Sequence, residues 1–470
     1  MSAKRALPSA TTRSLHGHLP FVLLFVVGAV LRTLVCVAYR PALMLQRDAY
    51  AYLELALDPT PSPGSFRPVI YPLLFLKPLL VFDNLALVSI VQHALALALA
   101  AILYLALRRL GVGAVLAAVG VAPLILDAYQ LNVEHYILSE TLFLGLILVA
   151  LLLLVWPARP GHIGTTTAGA LVALASLTRF AGIAAIVPAL IYVGVRRLGW
   201  RTAALLLVGF LLPLLSYSAW FRSSEGTFGV TNRNGFFVYG RVASFADCAE
   251  IRPPQRLRRF CLEEPASARG PNRGIWTLVE VGRLAREPGV NGLLLEFSKR
   301  AITAQPIDYI TVVGADFARF LEPTPPPLQE PYVRRWRFPR TLSDARPHPL
   351  VRRYGGSAPP DTGFERFRIM RAPANFLRAY QSFVYTPGPL IALLIAVGLI
   401  GVLLGMRSPR RRDVRSESIL FTLAGVALLL FPVMTTVYHF RYVLPALPLL
   451  GAGAALGATA FRARGLARES

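Results

Sequence analysis

This chain is poor in acidic residues and in lysine. Among 470 residues, 25 are acidic and 49 basic, and the lysines are limited to Lys4, Lys77 and Lys299. Charged residues of both signs make up only 16%, where a soluble chain carries about a quarter. That scarcity excludes an ordinary soluble protein. Cysteine is rare too, with three residues and no CxxC pair, which excludes a cysteine-built zinc module. Neither a phosphate-cradling GxxxxGK nor a dinucleotide GxGxxG after a strand is present, so no soluble nucleotide is expected as substrate.

Apolar sequence takes up the difference. Hydrophobic residues make up 55% of the chain, and runs approaching or reaching spanning length recur at 19–39, 84–106, 113–127, 137–156, 167–179, 181–195, 202–220, 387–406, 418–437 and 443–461. The pattern predicts an all-α polytopic membrane protein with about ten transmembrane helices. No small-residue cleavage site ends the first run, so it reads as a retained helix. The net charge of +24 lies mostly between the runs or in one long loop. Membrane topology and anionic lipid account for it, and no nucleic-acid partner is expected.

Basic flanks place both ends in the cytoplasm. The expected organisation is a cytoplasmic tail 1–18, a seven-helix core 19–220 containing a first outer loop 40–83, an extracytoplasmic loop-rich domain 221–386, three helices within 387–461, and a tail 462–470. Residues 48–57 form an amphipathic stretch with Tyr52, Leu53, Leu55 and Leu57 available to a membrane surface. Residues 66–82 read as a helix lying along or dipping into the outer leaflet. Cys248 and Cys261, 13 residues apart, form a candidate disulfide in the outer region, and Cys36 reads as a small core residue.

Ionisable residues gather at the outer membrane face, where they are costly unless paired or functional. The first group is Asp48 and Tyr50 with Arg67. Asp48 suits a general base on an acceptor hydroxyl, and it also stands where an acid would cap a helix. The second is Asp127, Glu134, His135 and Glu140, read as a short outer turn leading one turn into the fourth span. One histidine among acids is not a metal framework, so substrate-orienting roles are expected and no metal. Arg179, in ASLTRFAGI, either snorkels, pairs with Glu140 or Asp127, or binds a lipid phosphate. His439 and Arg441, in HFRYVLPALP, suit an anion site. Arg32 and His93 lie within spans and read as bundle-facing polar contacts.

Taken in order, RDAYAYLELA around Asp48, the R-P-x-x-Y-P-L element at 67–73, EHYILSETLF at 134–143, the Thr178-Arg179 break and HFRYVLPALP at 439–448 form a recognisable set. The chain resembles the GT-C superfamily of integral-membrane glycosyltransferases. Within it, the resemblance is to the phospholipid-carrier-dependent branch, which includes the protein O-mannosyltransferases of glycosyltransferase family 39 and the lipid A aminoarabinose transferases. It covers both ends of the chain and not 221–386. It implies a polyprenyl-phosphate-linked sugar donor at the outer face of the cell membrane, with transfer by inversion and no cofactor. The acceptor would be a cell-envelope glycan, lipid or protein. Asp48 becomes the base; Arg441, His439, Arg179 and Arg67 become donor-phosphate ligands; Tyr50, Asp127, Glu134, His135 and Glu140 become orienting groups. The O-mannosyltransferases carry an Asp-Glu pair where this chain has Asp48-Ala49. The alternative is a transporter or lipid flippase, which would line the bilayer midplane with ionisable residues in both halves.

Overall fold

The computed structural model describes residues 10–44, 47–63, 67–269, 287, 289–323, 336–341, 368–404 and 414–468. Apart from two antiparallel two-residue strands, β1 (Tyr39–Arg40) and β2 (Arg368–Ile369), the regular structure is helical. Each apolar run of the sequence became helix: α1 (Ala10–Ala38), α3 (Leu85–Arg109), α4 (Ala114–Leu126), α6 (Glu140–Val155), α7 (His162–Ser176), α8 (Ile186–Val195), α9 (Trp200–Glu225), α14 (Gly388–Leu404), α15 (Arg415–Thr435) and α16 (Val443–Arg468). Between them lie α2 (Arg47–Leu57), α5 (Ala128–His135), α10 (Asn234–Val242), α11 (Val290–Ala304), α12 (Pro306–Ala318) and α13 (Arg371–Phe383). Among the described residues, five helices have the length and composition to cross a membrane, and up to seven spans result if each of two bent pairs counts as one. The chain is an all-α, multi-pass membrane protein.

The helices start and stop for local reasons. Asn84 caps α3 by accepting from Ala86 N at 2.9 Å, and Arg108 and Arg109 close its last turn. Gly226 ends α9 in the left-handed conformation that glycine adopts without strain. Helices α7 and α9 touch backbone to backbone. A Cβ on Gly169 would overlap the carbonyl oxygen of Leu206, and one on Gly209 would overlap that of Thr166. Small residues provide such approach where lipid supplies no hydrophobic drive between helices.

Three expectations change. The link between α4 and α6 is not a short outer turn. Asp127 caps a new helix, α5, accepting from Tyr129 N and Gln130 N, and α5 leaves α4 at 48° with every residue buried. Glu140 consequently opens α6 rather than lying a turn inside it. On α2, Tyr52 and Leu53 are buried inside the protein and not laid on a membrane surface. Finally, the region after α9 has a core of its own, built from Phe236, Tyr239, Leu257, Phe260, Leu294 and Phe297, alongside which Cys248 and Cys261 are joined in a disulfide. A buried Arg241–Asp316 pair ties that core to the membrane helices: Arg241 Nη1 also donates to Val433 O at 3.3 Å, and Tyr438 N donates to Asp316 at 3.2 Å. The apolar stretch 274–284 lies outside the described residues.

Candidate active site

Asp48 is positioned by the strand-like segment before α2 and by α2 itself. Leu43 N donates to His135 O at 3.0 Å and Ile137 N donates to Leu43 O at 3.1 Å, which fixes the approach to α2. Asp48 lies in the first turn of α2, where an acid is favoured by the helix dipole. Its carboxylate does not cap the helix. One oxygen accepts from Arg67 Nη2 and the other from Arg441 Nη1 at 2.8 Å.

The partners arrive from distant parts of the chain. Arg67 precedes the helical segment 71–80, which is anchored where Ile70 N donates to Leu177 O at 3.2 Å. Arg441 sits in the 3-10 turn Phe440–Tyr442 between α15 and α16. Arg179 occupies the break between α7 and the 3-10 helix Phe180–Ala185. Glu140 joins the two arginines: its Oε1 accepts from Arg179 Nη1 at 2.7 Å and lies 3.1 Å from Arg441 Nε. The result is a continuous chain of charge, Arg67–Asp48–Arg441–Glu140–Arg179. Among the described residues, three guanidiniums and two carboxylates make up this chain.

Four of these five residues line a cavity of about 260 Å³. Asp48, Arg67, Arg179 and Arg441 line it together with Phe180, Ile183, Val230, Phe237 and Phe431. Guanidiniums and apolar side chains in one lining are complementary to a phosphate carrying a hydrocarbon tail. Burial alone would raise the pKa of Asp48. Arg67 and Arg441 outweigh it and hold the carboxyl well below the usual range, so Asp48 is ionised at neutral pH. Tyr52 also lines the cavity and shares a hydrogen bond with Ser139 Oγ at 3.1 Å. Burial pushes its phenol up, so it remains a proton donor.

The remaining expected site residues stand elsewhere or act differently. Tyr50 is buried on α2 and does not line the cavity. Asp127 is occupied as the cap of α5 and accepts from Thr386 N at 2.7 Å. Glu134 and His135 belong to a second buried cluster with Arg32 and His93. They turn away from Glu140 because α5 ends between them. His439 caps its own turn by accepting from Arg441 N at Nδ1, 3.1 Å away. Burial and the Arg441 charge push it down to about 3, so it is neutral near pH 7 and brings no charge to an anion. Tyr52 was expected at a membrane surface and Ser139 only as part of the 134–143 stretch; neither was singled out as a site residue, since a hydroxyl carries no charge signal to mark it.

No protein-family model and no curated protein sequence matches the chain. Among solved structures it is similar to ArnT from Cupriavidus metallidurans in the apo state, with 15% identity, a TM-score of 0.36, and coverage of 96% of this chain and 78% of that one. A likeness at that level assigns neither an activity nor a role to any residue.

Proposed function

We propose that the protein is a membrane glycosyltransferase of GT-C type. It moves a sugar from a polyprenyl-phosphate carrier to an acceptor hydroxyl at the outer face of the cytoplasmic membrane, with inversion. The observation that carries this reading is the single cavity lined by both Asp48, at the start of α2, and Arg441, 393 residues further along the chain. The cavity has guanidiniums for the phosphate and apolar side chains for the first isoprene units.

In this reading Arg441 and Arg179 receive the carrier phosphate, with Arg67 at its side. An arriving phosphate competes with Asp48 for Arg441. That exchange matters, because a carboxylate held by two guanidiniums is a poor base. Losing one of them raises its proton affinity as the donor binds. The acceptor oxygen then attacks the anomeric carbon from the face opposite the phosphate. The carbon–oxygen bond to phosphate breaks, Asp48 takes the acceptor proton, and the arginines stabilise the charge gathering on the departing polyprenyl phosphate. Glu140 holds Arg179 and Arg441 apart at a fixed distance.

The test uses the full chain in detergent with defined polyprenyl-phosphate sugars, measuring released polyprenyl phosphate. Wild type releases it, and Arg441→Ala raises the donor KM about tenfold or more, as loss of a charge-assisted fork costs about 1.5–3 kcal/mol. No release from any carrier-linked sugar, or a change confined to acceptor KM, contradicts the assignment.

A further inference from the structure

A second polar cluster lies inside the helix bundle, away from the cavity. Glu134, on α5, is gripped at both oxygens. Arg32 Nε and Nη2 donate to it at 2.8 Å each, and Gln130 Nε2 donates at 3.0 Å. Both oxygens therefore act as acceptors, and His93 Nδ1, 2.8 Å from Oε2, carries the proton of that contact. His135 Nε2 faces the carbonyl oxygen of Tyr39, which can only accept, so that nitrogen carries a proton as well.

These two assignments leave a conflict. The remaining nitrogens, His93 Nε2 and His135 Nδ1, face one another at 3.2 Å, each with a lone pair. Something positive belongs between them. A third proton would create a second cation on a carboxylate that Arg32 already balances, in a region where buried charge is costly. The other candidate is a metal ion. A cation bound to two imidazoles at ordinary lengths spaces their nitrogens about 3.3–3.5 Å apart. The thiol of Cys36, on α1, completes a set of three: the ligand atoms of Cys36, His93 and His135 lie within 4.8 Å of one another. Glu134 behind His93 is the carboxylate–histidine arrangement that orients a metal ligand.

We propose that Cys36, His93 and His135 bind one monovalent copper ion. A thiolate and two imidazoles are ligands that a soft cation favours. Charge selects among such cations. Cys36 as thiolate and Glu134 supply two negative charges and Arg32 one positive, so a single positive charge neutralises the cluster. The ion would join α1, α3 and α5 beneath the segment 39–44 that leads to Asp48. It acts as a structural tie, independent of the sugar-transfer reading.

The experiment loads the full chain, purified through a tag without histidine, with copper under reducing conditions or with zinc, then removes unbound metal. Bound metal is counted by mass spectrometry. Wild type holds about one copper per chain against competing zinc, and Cys36→Ala holds about tenfold less. X-ray absorption at the copper edge shows one sulfur and two nitrogen neighbours. Cys36→Ala removes only a half-buried thiol, and unchanged elution and metal-free melting temperature establish that it folds. His135→Asn provides the second ligand deletion. Absence of copper from folded wild type, copper retained in Cys36→Ala, or zinc held in preference overturns the proposal.

Discussion

At the scale of the residue, Asp48 faces opposing demands. Two guanidiniums hold it ionised and ordered, and the same guanidiniums suppress its basicity. Because its folded pKa lies below the unfolded value near 3.9, the stability it contributes is present in full above that pH. It is lost as pH falls below about 4 and through the folded value. Thermal melts of wild type and Asp48→Asn across pH should therefore differ by a constant amount above pH 5 and converge in acid. His439 makes the opposite case. It is neutral across pH 5–8, its pKa being pushed to about 3, so donor KM should be flat over that range. A KM that rises as pH passes through 6–7 would mean that a protonated histidine holds the phosphate. Asp48, Arg67, Glu140, Arg179 and Arg441 stood out in the sequence because charge at a membrane rim is costly. Glu134 and His135 stood out for the same reason and were grouped with Glu140 by proximity in sequence. The end of α5 at His135 separates them.

At the scale of the element, the site depends on interrupted helices. The break at Thr178-Arg179 brings a guanidinium to the cavity, and the turn 439–442 between α15 and α16 brings another. Both breaks were visible in the sequence as charged residues between apolar runs. The caps that decide the direction of departure, such as Asp127 on α5, were not, because a capping acid and a catalytic acid look alike in sequence. Helices α7 and α9 must sit in close contact for the break to be placed, and Gly169 and Gly209 are where they meet. Gly209→Leu forces α7 and α9 apart, at a cost of about 1–3 kcal/mol or more from overpacking. The expected outcome is a lowered melting temperature with activity lost in proportion to folded protein. An unchanged melting temperature would refute the contact.

At the scale of the molecule, the all-helical class and the positions of the apolar runs were legible from hydropathy alone. The core after α9 was not, since its contacts join residues 236–301 through aromatic packing that has no periodic signature. Its Cys248–Cys261 disulfide belongs to an oxidising compartment, which accords with the proposed outward orientation of 221–386. In intact cells, a membrane-impermeant maleimide should label these cysteines once a reductant has opened the bond. Labelling only after permeabilisation would invert the topology and remove the outer-face site. The most direct measurement of the central claim pairs donor binding with transfer in Asp48→Asn. The account predicts that the variant binds polyprenyl phosphate at least as tightly as wild type, Arg441 being released, while transfer falls by about two orders of magnitude or more. Transfer at the wild-type rate, or donor binding lost together with activity, would contradict it.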